Sequence, residues 1–309
     1  MGYRALFLGL AAHLALGLQI HPRDTSSNDP YPFCNTKTTP SCIEGGKWLY
    51  PALDFSLEND AGDLIYQKYL PSHTYTLSQW AKGKMPEACY YWGVTRDQWV
   101  AADFTMWNVT YSDCSTPYVV CRHKNAPKTI DQIATTISKI PAGVRQAVSL
   151  FLVYSDKSED NPNYGGYMAT YAPHGIIIGR STGYFVTSLV HEFGHAVDAN
   201  LASLDAPHPG SGTSFSATSF FQSAANMDGY AVSAYGTTSF TEDFPEVGRA
   251  VLIDQINPGG LAAFYTNANI THIYQQMGAV KKVAGSFYKT GTTCDKTRKF
   301  PYPPTLVSV

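Results

Sequence analysis

At 309 residues the chain has room for one large domain or two modest ones, and its formal net charge of -2 offers no electrostatic footprint for nucleic acid or an acidic membrane. Six cysteines, an even number, point to an oxidising compartment and three disulfides. Beyond the N-terminus no stretch is long and apolar enough to span a bilayer.

The N-terminus carries Arg4 and then an apolar run from Ala5 to Leu18, broken by His13. As a helix this run reaches about 21 Å, short of a hydrocarbon core about 30 Å thick. With small residues at Ala15 and Gly17 it reads as a signal peptide over residues 1–20, so the chain is expected to be secreted. Residues 21–47, rich in Pro, Ser, Thr and Asn, read as an irregular lead-in. Residues 48–125 form an aromatic region of unknown role with Tyr90, Tyr91, Trp92, Trp99 and Trp107, read as ordinary core ahead of a sugar- or peptide-binding cluster. Among the cysteines, short loops favour Cys34 with Cys42 and Cys114 with Cys121, leaving Cys89 for Cys294. Asn108-Val109-Thr110 and Asn269-Ile270-Thr271 are glycan acceptors if exposed.

Ala126-Pro127-Lys128 marks a boundary, after which residues 126–290 alternate between helical and strand patterns. Ile130, Ile133, Ile137 and Ile140 make a helical stripe ended by Pro141-Ala142-Gly143. Ser149 to Tyr154 reads as a buried strand, Asp156 to Gly166 as a polar loop, and 167–171 with 175–179 as a hairpin pair. His174 falls beside that pair, either on a cleft rim or simply at the surface. A Ser/Pro/Gly-rich loop over 203–218 precedes a helix near 219–233, and a last helix is expected over Leu261 to Lys282. Residues 291–309 form a Pro-rich extended tail. The fold class is α+β, with a small mixed sheet.

The chemistry concentrates in His191-Glu192-Phe193-Gly194-His195, entered through Val186-Thr187-Ser188-Leu189-Val190. Histidines four apart on a helix project from one face and can grip one metal ion. Glu192 then stands beside the ion rather than on it, where it can take a proton from a metal-bound water. Phe193 and Val197 suit a core face, and Gly194 leaves room beside a crowded site. Two imidazoles need a third protein ligand. Asp198 lies roughly 10 Å along the helix from His191, too far to join both histidines, and fits either an outer hydrogen-bond acceptor or a buried polar residue. Downstream, Phe240, Phe244, Val247 and Val251 form a helical stripe with Glu242 and Glu246 an i,i+4 pair beside it. Ser239 or Thr241 can cap that helix, and Pro245 is tolerated in its first turn. The two glutamates also fit a plain acidic first turn.

The run from His191 to Asp198, followed by Tyr235-Gly236 and then Glu242 and Glu246, resembles the catalytic domain of anthrax lethal factor and its relatives, the secreted bacterial Pro-Pro endopeptidases. These are gluzincin-type zinc metallopeptidases. The resemblance implies a zincin-like domain with an active-site helix and a glutamate helix, preceded by the disulfide-containing N-terminal region. It further implies Zn2+ held by His191, His195 and Glu242. Glu192 would be the general base and acid, Tyr235 the oxyanion partner, and Glu246 an acceptor orienting a ligand histidine. On that reading the chain is a secreted endopeptidase with a protein or peptide substrate and no nucleic-acid or membrane partner. A secreted zinc-binding protein with little turnover, or a structural wall protein, is the alternative.

Overall fold

The computed structural model describes residues 52–53, 60–154, 168–171, 176–179, 186–201, 214–233, 235–265, 269–294 and 304–309. The expectations for the signal peptide, the lead-in with Cys34 and Cys42, the polar loop over 156–166, His174, and most of the 203–218 loop lie outside these residues. In chain order the main elements are α1 (Asp60–Tyr69), β1 (Tyr75–Gln79), β2 (Lys84–Pro86), β3 (Phe104–Tyr111), β4 (Cys114–His123), α2 (Ile130–Ser138) and α3 (Ala142–Arg145). There follow β5 (Leu150–Val153), β6 (Met168–Tyr171), β7 (Ile176–Gly179), α4 (Val186–Asn200), α5 (Ser219–Asp228), α6 (Phe240–Ile256), α7 (Gly260–Phe264), α8 (Tyr274–Ala284) and β8 (Leu306–Ser308). The fold is mixed α+β.

Six strands make one mixed sheet in the order β1-β3-β4-β5-β7-β6. β4, β5 and β7 run parallel, while β1 with β3, β3 with β4, and β7 with β6 are antiparallel. The central strands are apolar on both faces because both faces are covered. On β5, Phe151 and Val153 enter the core built by the helices. Leu150 and Leu152 enter a second core with Phe104, Met106, Trp80, Trp92 and Trp99. Trp80, Trp92 and Trp99 therefore pack behind the sheet, Trp107 of β3 packs on its helix side, and the sheet itself runs across Ala126-Pro127-Lys128. β8 at the tail pairs antiparallel with β2.

α2 begins where the sequence places it, with Thr129 and Gln132 in a reciprocal capping box. The expected single helix over Leu261 to Lys282 is instead broken into α7, a 3₁₀ turn at Ile270–Ile273, and α8. The Asn269 side chain accepts from the Thr271 amide and so caps a fresh start.

The disulfides also differ from expectation. Cys89 bonds Cys121, and Cys114 bonds Cys294. Cys114 and Cys121 share strand β4, where seven residues span about 23 Å, and their odd separation turns the side chains to opposite faces. Loop length alone could not reveal that both lie on one extended element.

α4 and α6 cross closely. Val186, Leu189, Val190, Phe193, Ala196 and Val197 form the buried face of α4, a 3.6-residue stripe. A Cβ on Gly194 would come 2.7 Å from Pro245 Cβ and 3.0 Å from its Cα. Gly194 therefore makes room for the neighbouring helix rather than for a crowded ion. Pro245 sits at the sixth position of α6, beyond the first turn where it was expected, and the absent Cβ of Gly194 leaves space for its ring.

Candidate metal centre

The α4–α6 crossing brings three donor groups to one point. Ser239 caps α6, its hydroxyl accepting from the Glu242 amide at 3.1 Å, which fixes Glu242 on the first turn beside α4. Glu242 Oε2 lies 3.2 Å from His191 Nε2 and 3.1 Å from His195 Nε2, and the two Nε2 atoms are 3.1 Å apart. A tetrahedral ion with bonds of about 2.0–2.1 Å has ligand–ligand edges of roughly 3.3 Å. The three atoms nearly match one face of such a tetrahedron. Among the described residues His191, His195 and Glu242 form the one group of histidine, cysteine and acidic side chains spaced for a metal ion.

The shell around this triangle supports the same reading. His191 Nδ1 meets Glu246 Oε1 at 2.5 Å, and Arg249 Nη1 lies 3.1 Å from the same oxygen. Nδ1 therefore donates to Glu246, which leaves Nε2 facing the donor triangle. Burial alone would raise the Glu246 carboxyl, but Arg249 and His191 hold it below the usual carboxylate range. Burial would likewise lower His191, yet its bonds to Glu242 and Glu246 outweigh that and lift the imidazole to about 10. Burial opposes ionisation of Glu242 too, and His191 and His195 still carry its carboxyl well below normal. Two carboxylates thus converge on the histidines in a pocket that favours positive charge, supplied by a proton or by a cation. Glu246→Gln should lower the affinity of the triangle for a metal ion about 10- to 100-fold, the usual effect of losing an outer hydrogen-bond partner, as read by chelator competition.

The other expected residues fall as follows. Glu192 is half-buried on α4 next to His191. Tyr235, 42% exposed, places its ring centroid 5.4 Å from that of His191. Burial and the negative charge of Glu242 push its phenol pKa upward. Asp198 is buried and accepts from both the amide and the hydroxyl of Ser216, at 2.7 and 2.5 Å, so it anchors the chain after α4. Arg249 escaped the sequence reading, although Glu246 and Arg249, three apart on α6, carry a helical ion-pair spacing.

A family model described as conidiation-specific protein Con-13 matches residues 56–299, which include the whole donor triangle. The chain belongs to the Con-13 family. A relative, Conidiation-specific protein 13 of Neurospora crassa, is 27% identical over 240 residues, 72% of this chain. The match covers 61% of that relative's length. No solved structure matches.

Con-13 membership corrects the earlier resemblance. The matching family and relative are named for conidiation and not for proteolysis, so the assignment to the lethal-factor-like metallopeptidases, the endopeptidase activity and the protease terms are withdrawn. Neither the family nor the relative's name bears on the roles expected of Glu192 and Tyr235, which stand beside the triangle. The physical reason is that H-E-x-x-H with a downstream glutamate specifies a set of ligands, and ligand geometry does not name a reaction.

Proposed function

We propose that this Con-13 member binds one divalent transition-metal ion through His191, His195 and Glu242, with Zn2+ the best-suited ion. The observation that carries the reading is the triangle of donor atoms 3.1–3.2 Å apart. Two imidazoles and one carboxylate suit zinc, whereas Mg2+ and Ca2+ favour six or more oxygens. Glu246, backed by Arg249, fixes the His191 tautomer. Bound there, the ion supplies a Lewis-acidic centre with a coordination position that these three residues leave open.

The setting is proposed from two further features. The apolar N-terminal run and the disulfides Cys89–Cys121 and Cys114–Cys294 support export to an oxidising space. The name of the Neurospora crassa relative places that protein in conidiation, and we extend the same setting to this chain.

Purified protein stripped with chelator should take up a single zinc ion on titration, measured calorimetrically and by elemental analysis. Uptake of magnesium or calcium under the same conditions should be far weaker. Absence of zinc binding, or binding that survives His191→Ala unchanged, would refute the site.

A further inference from the structure

Two Asn-Xaa-Thr triplets fall in contrasting places. Asn108 lies mid-strand on β3, opposite Ser78 of β1 and Val119 of β4. It is half-buried, and its Oδ1 accepts the Trp80 indole N–H at 2.8 Å. The Trp80 ring packs against the core behind the sheet, so this amide is part of a filled layer. Asn269 is exposed, in the connection between α7 and α8. Its Oδ1 accepts from the Thr271 amide at 3.2 Å and from the Thr271 hydroxyl at 2.7 Å, forming a local turn. Its Nδ2 lies 3.4 Å from His272 Nε2, whose ring stacks on Tyr230 with centroids 4.1 Å apart.

We propose that Asn269 carries an N-linked glycan and that Asn108 does not. Transfer takes place in the compartment where disulfides form, and the described residues contain two. In the step, Asn269 Nδ2 bonds to the anomeric carbon of an oligosaccharide carried on a lipid diphosphate. The carbon–oxygen bond to the diphosphate breaks, the diphosphate leaves with the electron pair, and one amide proton passes to a base of the transferase. The threonine hydroxyl two residues on is the second element the transferase reads. The folded state then selects between the sites. A sugar on Asn269 extends from an exposed turn and displaces no core group. A sugar on Asn108 would have to emerge beside Trp80 from an internal strand, inside a filled layer.

The inference rests on the export proposed above and is independent of the metal site. The test expresses the full chain twice in a eukaryotic host, once with its own N-terminus and once behind a heterologous secretion leader. Protein recovered from the medium is treated with a peptide N-glycosidase in heavy-oxygen water and mapped by mass spectrometry. Residue 269 should convert from Asn to labelled Asp, with residue 108 unchanged. The glycan should vanish in Asn269→Gln and Thr271→Ala, return in Thr271→Ser, and persist in Asn108→Gln. Leader-driven protein that is exported unmodified, or modified at Asn108, overturns the proposal. Modification only of the leader-driven form upholds the acceptor and removes the export reading instead.

Discussion

Replacing Glu242 by alanine should abolish the proposed zinc binding while leaving the fold close to intact. The carboxylate is one of three donors, and without it two imidazole nitrogens 3.1 Å apart must hold an ion alone. Structural and catalytic zinc sites use at least three protein ligands, so the loss should exceed the 10- to 100-fold that removal of an outer partner costs. The Glu242 side chain is about a quarter exposed, and the Ser239 cap reaches the backbone amide, which alanine keeps. Thermal unfolding gives a second readout. Zinc at 100 times its Kd stabilises the folded parent by about 2.7 kcal/mol. That is roughly 5–10 °C in Tm for a domain of 150–250 residues. The rise should disappear in Glu242→Ala. Asp198→Ala makes the informative contrast, because Asp198 hydrogen-bonds Ser216 and acts on His195 only through its charge. It should keep its zinc, and a reversed order of metal content would make Asp198 the ligand.

What could be read from the sequence is what depends on local spacing. His191 and His195 share a helical face by their four-residue interval, and Ser239, three before Glu242, is a cap by residue type and position. The Ile130–Ile140 stripe and the apolar run at 150–153 likewise carry their own periodicity. Features set by distant partners were hidden. The pairing of Cys114 with Cys294 joins residues 180 positions apart, and only the two-faced strand β4 rules out the shorter loop. Gly194 and Pro245 are intelligible once α4 lies on α6, since each makes sense of the other. Function was the least legible layer. A three-ligand face has the same sequence signature whatever its ion is used for, and the resemblance drawn from His191–Asp198, Tyr235-Gly236, Glu242 and Glu246 supplied a reaction that Con-13 membership does not support.

Arg145→Ala should be the most damaging single change outside the metal centre. The residue is fully buried on the four-residue helix α3, an unusual position for a guanidinium. Its Nη2 donates to Asp113 Oδ2, and its guanidinium carbon lies 4.3 Å from the Tyr111 ring centroid and 5.9 Å from that of Tyr118. Asp113 is itself 7% exposed, with His73 Nε2 3.3 Å from the same oxygen. The Asp113 carbonyl accepts from the Cys294 amide at 2.9 Å, so the ion pair sits where the Cys114–Cys294 disulfide ties the C-terminal region to the sheet. Removing the cation leaves a carboxylate in the interior, and breaking such pairs costs about 3–5 kcal/mol. At roughly 2–4 °C per kcal/mol, Tm should fall by about 6–20 °C. The pair is also incompletely satisfied, since Arg145 Nε and Nη1 and Asp113 Oδ1 have no hydrogen-bond partner among the described residues. Replacing both members with apolar side chains, as in Arg145→Met with Asp113→Leu, should therefore recover most of the loss. Zinc affinity measured below the transition should be the same in both variants as in the parent. A single variant that unfolds within a degree of the parent would show that solvent reaches this pair and that its burial does not govern stability.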